Sequence, residues 1–481
     1  MRRAALSAAL WLLVPVGALA QFSPGARSVG MAGAGMVFSS GVDAIEWNPA
    51  NLAIEGGWNI SIGEVGMSAL VSGASMDDLQ SMFEFEIPVL GSSTTVTPAQ
   101  TVAALPASGL LFASVTEGFL TGKRISSSDG ALPSIGDPFP TVGIAFGSFG
   151  IRVRSRVMGE MRLSKELVDL IVNDFDASRL TEYQVGNTGF RTLAFSEITG
   201  AYGATLGDRM AIGVGVRYLK GHKLTEGRFF EPVFDLVNEI AEFNSVAIEA
   251  PGGSGYGVDV GLALDLVAGF RVSASATNVI QKMTWDDALI SHEATLVACE
   301  TDPAAPATNP QQCLNNPSLS DSFEDQEPED LIDLYQAQPL DPNSMSLYVA
   351  ETVQDLFPGA FFPTVFRAGL GWRAGGTAVE LVGTSVSPQG RQHSQWDERI
   401  SLGLEQRLLF LTLRAGGAKG TDGLQALSAG LGLGLGPVHL DVSGGLMSGG
   451  FEFASGLVAP ENVDYAGGQV TVSLQIKGGG R

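Results

Sequence analysis

Charged side chains occur within several alternating stretches of this sequence, and side chains that share one face of a strand could act together. Arg152, Arg154 and Arg156 occupy alternate positions of one such stretch. Because successive side chains of a β-strand point to opposite faces, the three guanidinium groups would share one face. The same alternation puts charges of both signs on that face in other stretches, at Arg217, Asp259, Asp265, Arg367 and Glu405. On an enclosed face these charges would pair with one another; an unpaired row of arginines would instead favour an anion-selective pore.

No catalytic or metal-binding constellation accompanies these charges. The four histidines are scattered, and neither a nucleophile-elbow motif nor an H-E-x-x-H zinc motif occurs. The run GLGLGLG at 430–436 alternates Gly and Leu as a strand does, so it is not a phosphate-binding loop. The acidic residues at 321–330 lack the spacing of a calcium-binding loop. We therefore predict no enzymatic activity, no metal site and no cofactor.

The chain has two cysteines, Cys299 and Cys313. An even count at close spacing in an exported protein predicts a disulfide. Closing a loop of about 15 residues would contribute roughly 3 kcal/mol through the entropy of the unfolded chain. A metal pair is the alternative, but His292, the nearest histidine, has no suitable ligand partner.

Short alternating strands are the elements that position the charged residues. The stretches 210–218, 255–266 and 423–435 each place apolar side chains on one face and small or charged side chains on the other. A two-residue period with one apolar face is typical of a strand that crosses a membrane. No run of 18 or more apolar residues follows the first twenty residues, so no helical membrane span is predicted.

Short and long connections alternate along the chain, and this regularity predicts the topology. Tight turns are predicted at 147–150, 206–209, 267–269, 374–376, 407–408 and 434–437, with longer loops between them. Bacterial barrels have short periplasmic turns and longer outer loops. The six tight turns join twelve strands, and strands at 57–68 and 464–477 complete the set. The predicted fold is therefore all-β, an antiparallel transmembrane β-barrel of about 14 strands over residues 57–481.

One stretch does not fit this count. Residues 109–119 are strand-like but fall where a single outer loop is expected. They would either change the number of strands or fold inside the lumen.

Three long loops carry helix-like apolar spacing. In the first loop, which begins at the N-cap residue Ser164, the shared face consists of Leu167, Leu170 and Ile171. In the second loop it consists of Phe229, Phe230, Val233 and Phe234. A third helical pattern lies at 347–356. These outer-loop helices either pack together over the barrel mouth or form an apolar groove that captures a hydrophobic ligand.

Composition and charge agree with a membrane barrel. The 481 residues include 62 Gly, and only 16% are charged. A soluble β-rich protein would need more charge to cover its surface. The formal net charge of −23 excludes nucleic-acid binding through a patch that neutralises phosphates.

The first twenty residues have the features of an export signal. Arg2 and Arg3 precede an apolar run, and Ala18-Leu19-Ala20 forms an A-x-A cleavage site. Residues 1–20 are therefore predicted to be a signal peptide that is cleaved after Sec export. The expected destination is the bacterial outer membrane.

Residues 21–56 are predicted to be a separate N-terminal hatch or plug. The stretch from Gly25 to Leu52 is rich in Gly and has neither helical nor strand periodicity. It contains a box formed by Trp47, Asn48, Pro49 and Ala50, in which proline fixes its own φ and disfavours the α region for the residue before it. A segment without its own core must pack against the strands or inside them.

The stretch GARSVGMAGAGMVFSSGVDAIEWNPANLA at 25–53 resembles the N-terminal signature of FadL-like outer-membrane proteins, a superfamily that includes PorV-type barrels. In that superfamily a Gly-rich run precedes a Trp-Asn-Pro-Ala box. The resemblance continues at 255–261, 278–285, 402–407, 413–416 and 427–436. It implies a fourteen-stranded barrel whose lumen holds a hatch that includes Asn48, Pro49 and Ala50.

The resemblance also implies a function. Characterised members pass fatty acids or aromatic hydrocarbons from an outer groove through the wall into the membrane, so we expect hatch-gated entry of a small hydrophobic compound. The alternatives are a surface barrel that docks secreted proteins, as PorV-type members do, and a structural barrel without a ligand. The expected partners are outer-membrane lipid and a small hydrophobic ligand, or a secreted protein in the docking alternative, and no nucleic acid.

Overall fold

The computed structural model of the chain describes residues 25–73, 110–117, 141–165, 168, 188–229, 233–235, 240–250, 252–285, 290–299, 337–339, 364–387, 398–421, 423–449, 451–454, 457–460 and 465–478. Residues 1–20 lie outside these ranges, so the signal peptide and its cleavage remain predictions. Within the described ranges, no helix is both long enough and apolar enough to cross a membrane.

Strands make up almost all of the described chain. They are β1 (Trp58–Ser72), β2 (Leu110–Glu117), β3 (Val142–Phe146), β4 (Phe149–Leu163), β5 (Gly189–Leu206), β6 (Met210–Phe229), β7 (Val233–Asp235), β8 (Ile240–Ala250), β9 (Gly253–Asp265), β10 (Phe270–Trp285), β11 (Ile290–Cys299), β12 (Ala337–Pro339), β13 (Val365–Ala374), β14 (Thr377–Val386), β15 (Glu398–Leu408), β16 (Leu411–Gly420), β17 (Gln425–Leu435), β18 (Val438–Ser448), β19 (Phe451–Ala454), β20 (Leu457–Pro460) and β21 (Tyr465–Gly478). The helices are α1 (Ala26–Gly30), α2 (Val42–Trp47) and α3 (Asn51–Glu55), with a short 3-10 turn at Val267–Gly269.

The strands form a closed antiparallel barrel with 14 positions in its wall. The order around the wall is β1, β2 with β3, β4, β5, β6, β9, β10, β13, β14, β15, β16, β17, β18 and β21. The first and last strands pair from Trp58↔Gly478 to Ser72↔Tyr465 and close the ring. The predicted barrel, with its tight turns and its opening and closing strands, is confirmed.

The second wall position is made of two separate strands. β2 pairs with the outer half of β1, as far as Gly66↔Glu117, and β3 pairs with its inner end, from Ser61↔Gly143. Thr141 rejoins the wall by exchanging both backbone hydrogen bonds with Glu64, at 3.1 and 3.0 Å. Residues 110–117 of the strand-like stretch at 109–119 are therefore part of the wall. Together with β3, β2 forms the second wall position, so it neither adds a wall strand nor folds inside the lumen.

The two faces of the wall differ sharply in polarity. Large apolar side chains are exposed around the outside, including Val214, Leu262, Leu404, Leu431 and Val472. Many of the residues between them point inward and are small, polar or charged, and an apolar cluster that includes Leu193, Phe195 and Leu219 is buried on the same inward face. An outer belt of this kind faces lipid in an outer-membrane barrel. The pairing of β1 with β21 closes the described ring, as the bilayer interior requires of a sheet.

The N-terminal segment, defined here as residues 25–55, lies inside the barrel and consists of α1–α3 and their connections. Its apolar side chains are almost completely buried; Met31, Met36 and Ile45 are each 0% exposed. They pack against the inward face of the wall, for example with Ala378 and Val382 on β14. The segment therefore takes its core from the wall, as its lack of internal periodicity predicted.

Glycines on the inward face of the wall make room for this segment. A Cβ added at Gly213 would lie 2.2 Å from the backbone nitrogen of Ala50. One added at Gly416 would lie 2.3 Å from the carbonyl carbon of Met31, and one at Gly261 would lie 2.0 Å from Oδ1 of Asn48. Such separations exclude a side chain, so the small face of these strands is a fitted surface for the segment.

The helix predicted in the second long loop is wrong where the structure describes it. Phe229 ends β6, Val233 and Phe234 belong to β7, and β8 follows from Ile240. The outer end of β6 pairs with β8, from Leu224↔Ala250 to Phe229↔Ser245. Ladder pairing thus continues the hairpin beyond the wall, and tertiary pairing overrides the helical spacing. Phe230 lies outside the described residues.

Candidate functional site

The Trp-Asn-Pro-Ala box lies against the inward face of the wall. Asn48 has φ −161° and ψ 101° and ends α2, the extended conformation expected before a proline. Its side-chain amide donates to the carbonyl of Leu262 on β9 at 2.9 Å, and its Oδ1 accepts from the nitrogen of Ala50 at 3.1 Å. Asn48 and Ala50 are both 0% exposed. The box is therefore bonded directly to a wall strand.

Trp47 packs on the other side of the box. It is 3% exposed, and the guanidinium of Arg367 on β13 lies 4.8 Å from the centroid of its ring. This distance is that of a cation–π contact. Pro49 lies against β5 in the same sector of the wall, since a Cβ added at Gly203 on β5 would lie 2.8 Å from the Pro49 carbonyl oxygen.

A cluster of buried charges, called here the β4 cluster, joins the N-terminal segment to the wall. Its members are Glu46, Glu64, Glu117, Arg152, Arg154, Arg156 and Glu197. Glu46 is the carboxylate that the segment contributes, and it forms ion pairs with all three arginines of β4, including a contact of 3.0 Å to Arg156. The wall carboxylates surround the same guanidinium groups. Each of the three arginines is thus paired, and the row does not present free positive charge to a lumen.

Two members of the β4 cluster lie at the interruption of the wall. Glu117 is the last residue of β2, and its carboxylate accepts from Arg152 at 3.1 Å and from Arg156 at 3.1 Å. The hydroxyl of Thr141, where the chain returns to the wall, donates to Glu117 at 2.9 Å. Glu64 faces inward because the pairing register of β1 shifts between Ser61 and Gly63, as at a β-bulge. It accepts from Arg152 at 2.9 Å.

Two further groups of ion pairs hold the ends of the N-terminal segment. Arg27, near its start, contacts Glu380 at 2.6 Å and Glu405 at 3.0 Å. Glu55, at its end, contacts Arg271 at 2.5 Å and Arg373 at 3.0 Å. With Glu46 in the middle, the segment is attached to three separate sectors of the wall.

The remaining predicted lumen charges also point inward. Arg217 donates to Asp259 at 2.6 Å and contacts Glu197 at 3.4 Å, which extends the β4 cluster along β5, β6 and β9. Asp265 pairs with Arg271 at 2.5 Å. Arg367 is 7% exposed and has no carboxylate within 4.0 Å among the residues that the structure describes.

Other predicted site residues cannot be placed. Leu167, Leu170, Ile171 and Cys313 lie outside the described residues, so the apolar groove and the disulfide with Cys299 remain predictions. The start of the first loop helix is visible: the nitrogen of Val168 donates to the carbonyl of Ser164 at 3.1 Å. Elsewhere in the described ranges, no group of three or more His, Cys, Asp or Glu side chains is arranged to hold a metal ion.

The sequence reasoning missed the partners of the arginines. Glu46 is one of few charges in the opening stretch, next to the box, and that isolation was an available signal. Glu197 follows from alternation along β5. The inward orientation of Glu64 depends on a register shift, and the position of Glu117 depends on the interrupted strand, so neither could be read from a regular period.

No protein-family model matches the chain, and no curated protein matches it. Among solved structures, the chain is similar to the Ralstonia pickettii toluene transporter TbuX, with 13% identity, 94% of this chain and 98% of that chain covered, and a TM-score of 0.46. It is also similar to a Pseudomonas aeruginosa FadL homologue, with 10% identity, coverages of 94% and 97%, and a TM-score of 0.46. For the Pseudomonas putida toluene transporter TodX the identity is 11%, the coverages are 94% and 98%, and the TM-score is 0.41. With TM-scores below 0.5, these similarities add no argument, and the fold rests on the strand pairing itself.

Proposed function

We propose that this protein is an outer-membrane channel that admits a small hydrophobic compound, and that the N-terminal segment is its hatch. The observation that carries the proposal is the β4 cluster, in which Glu46 of the segment and Glu117 at the interruption of the wall share Arg152 and Arg156. The same two arginines therefore bind the N-terminal segment, through Glu46, and the end of β2, through Glu117.

The position of the N-terminal segment supports a gated route. The segment is buried against the inward glycines and attached to three sectors of the wall, so solute passing straight through the barrel would have to displace it. Its contacts are ionic and polar at those three points, and the box adds hydrogen bonds to β9.

The interrupted wall position argues for a hydrophobic cargo. β2 ends at Glu117 opposite Gly66, and the chain resumes at Thr141 opposite Glu64, so the break falls in the middle of β1. We propose that the wall opens there. Such an opening would lead into the hydrocarbon layer, where a molecule is stable only if it has little polar surface. The resemblance of residues 25–53 to FadL-like proteins points to the same class of cargo.

A reversible cross-link between segment and wall tests the proposal. A Cβ added at Gly203 would lie 3.2 Å from the Cβ of Ala53, close to the separation in a disulfide. We expect an Ala53→Cys/Gly203→Cys variant, oxidised in the outer membrane, to lose uptake of radiolabelled naphthalene and of a radiolabelled long-chain carboxylic acid. Reduction should restore uptake in intact cells.

The control is wild type carried through the same oxidation and reduction, because Cys299 and Cys313 also respond to both treatments. Each variant that carries only one of the two added cysteines gives the uptake to which the reduced double variant is compared, because the Cβ at Gly203 also lies 2.8 Å from the carbonyl oxygen of Pro49. If the oxidised double variant is fully cross-linked and still takes up both compounds at the wild-type rate, the segment is not the hatch. If wild type itself takes up neither compound faster than cells without the barrel, the channel assignment fails.

A further inference from the structure

We propose that the inward face of β10, β13, β14 and β15 carries an oxyanion-binding site centred on Arg367. The site takes a carboxylate, phosphate or sulfonate group, either free or as the headgroup of an amphiphile. It rests on observations separate from those behind the proposed hatch, and it stands whether or not the barrel transports a hydrophobic compound.

The site is a row of directly paired residues on adjacent strands. Ser275 on β10 pairs with Arg367 on β13, Arg367 pairs with Thr384 on β14, and Thr384 pairs with Arg399 on β15. All four side chains are inward and at most 7% exposed. Neighbouring strands are about 4.8 Å apart, so the row brings two guanidinium groups and two hydroxyls into one compact group.

The row contains donors that nothing in the described protein uses. Nε and Nη1 of Arg367 and Oγ1 of Thr384 are buried without a hydrogen-bond partner. The neighbouring inward-facing row, two residues along the same strands, adds Oγ of Ser273 and Oγ of Ser401. Both atoms are likewise buried and without a partner. Unsatisfied buried polar atoms are costly, so these five atoms on adjacent strands leave hydrogen bonds that a bound group can complete.

The charge at this site differs from that in the rest of the lumen. Within the described residues, the arginines of the β4 cluster and Arg27, Arg271, Arg373 and Arg414 all contact carboxylates. Among the described residues, the contact of the Arg367 guanidinium is with the ring of Trp47, at 4.8 Å. A ring face offers partial negative charge but no acceptor lone pair, so the forked donors of Arg367 remain open to an anion.

The N-terminal segment borders the same site. Arg367 lies over Trp47, and a Cβ added at Gly33 would lie 3.6 Å from Nε of Arg399 and 3.4 Å from Oγ of Ser401. The site therefore lies where the segment meets the wall. A planar guanidinium fork recognises carboxylate and phosphate oxygens in pairs, and hydroxyl donors add further hydrogen bonds. This chemistry selects an oxyanion over a neutral or cationic group.

Titration calorimetry on the full-length barrel in a neutral maltoside detergent tests the proposal. The probes are inorganic phosphate and decyl phosphate, each at constant ionic strength balanced with sodium chloride. Wild type should bind at least one probe. Arg367→Gln should weaken that binding at least tenfold, and Thr384→Val, which keeps every charge, should weaken it severalfold.

Arg407→Gln is the matched control, because it removes one arginine charge outside the row and should leave binding unchanged; Arg407 is 58% exposed and already contacts Glu405. The heat-dependent shift in gel mobility verifies that each variant is folded. Comparable binding of both phosphates identifies a free-anion site, and binding of decyl phosphate alone identifies the headgroup of an amphiphile. Absence of binding to wild type, or equal binding to wild type and Arg367→Gln, overturns the proposal.

Discussion

The two sides of the lumen carry the same kind of side chain in opposite circumstances. On the side of β4, Arg152, Arg154 and Arg156 are buried among carboxylates from the wall and from the N-terminal segment. On the side of β13, Arg367 is equally buried but contacts an aromatic ring and keeps two nitrogen atoms without partners. Burial alone therefore does not say what an arginine does in this barrel.

The difference indicates two separate roles. A guanidinium surrounded by carboxylates is a fastener, since removing either partner leaves an uncompensated charge inside the protein. A guanidinium without a carboxylate partner contributes little to holding the fold together and is free to bind a ligand. The N-terminal segment meets both sides, through Glu46 on one and Trp47 on the other. Fastening and binding therefore converge on two residues that are adjacent in the sequence.

The largest effect is expected from removing the segment. A barrel lacking residues 25–50 should be permeable to small polar solutes, because the inward glycines would then border an open lumen. Liposome swelling with a series of small sugars measures this, and the gel-mobility shift shows whether the barrel still folds. A folded deletion variant with wild-type permeability would mean that the segment does not close the lumen.

A smaller but still large effect is expected from Glu46→Gln. The change removes the carboxylate that three arginines share, so stability should fall by about 3–5 kcal/mol. Urea unfolding of the barrel in lipid vesicles measures the loss, and the segment should also become accessible to protease. Asp43→Asn is the control, because Asp43 makes a single long contact of 3.4 Å with Gln475 and its loss should cost under about 0.5 kcal/mol. Equal losses of stability for the two variants would show that the Glu46 carboxylate does not hold the β4 cluster together.

Gly213→Ala tests the fit between segment and wall without altering charge. The new Cβ would lie 2.2 Å from the nitrogen of Ala50, so the box must shift, at a cost of about 1–3 kcal/mol. Gly200→Ala on the neighbouring strand is the control, since an added Cβ there meets nothing within 4 Å. The same unfolding assay distinguishes them, and a neutral Gly213→Ala would show that the box is not seated on β6.

The smallest expected effect is the difference in stability between substitutions of Thr199 and Thr384, which are 3% and 4% exposed. The hydroxyl of Thr199 donates to Glu197 in the β4 cluster at 2.6 Å, whereas Oγ1 of Thr384 has no partner. Thr199→Val should cost about 1.5 kcal/mol, because a hydrogen bond to a charged group is lost. Thr384→Val should be close to neutral in the absence of anion. A cost at Thr384 as large as that at Thr199 would show that the two sides are not different.

Much of the fold follows from elementary patterns in the sequence. Alternation in β9 and β17 identifies the inward and outward faces, and tight turns at Gly147 and Gly207 fix the direction of the hairpins. The extended conformation of Asn48 follows from Pro49 alone. These features are local, so the residues that determine them are adjacent in the sequence.

What could not be predicted depends on long-range pairing. The two-part second wall position requires β2 and β3 to meet the same neighbours, β1 and β4, after a long excursion of the chain. Glu64 becomes a partner of Arg152 only because the register of β1 shifts. The lack of a carboxylate beside Arg367 could not be read from alternation either, because alternation assigns a face and says nothing of which charges meet across the lumen.

The most direct test of the two roles is to replace one arginine on each side by methionine, which is similar in length but uncharged. Urea unfolding of Arg154→Met and Arg367→Met, measured beside wild type in the same vesicles and without added anion, gives the comparison. We predict that Arg154→Met loses about 3–5 kcal/mol, because Glu46 and Glu197 each lose a partner, while Arg367→Met is unchanged or more stable. A loss at Arg367 equal to that at Arg154 would contradict the division of the lumen into a fastening side and a binding side.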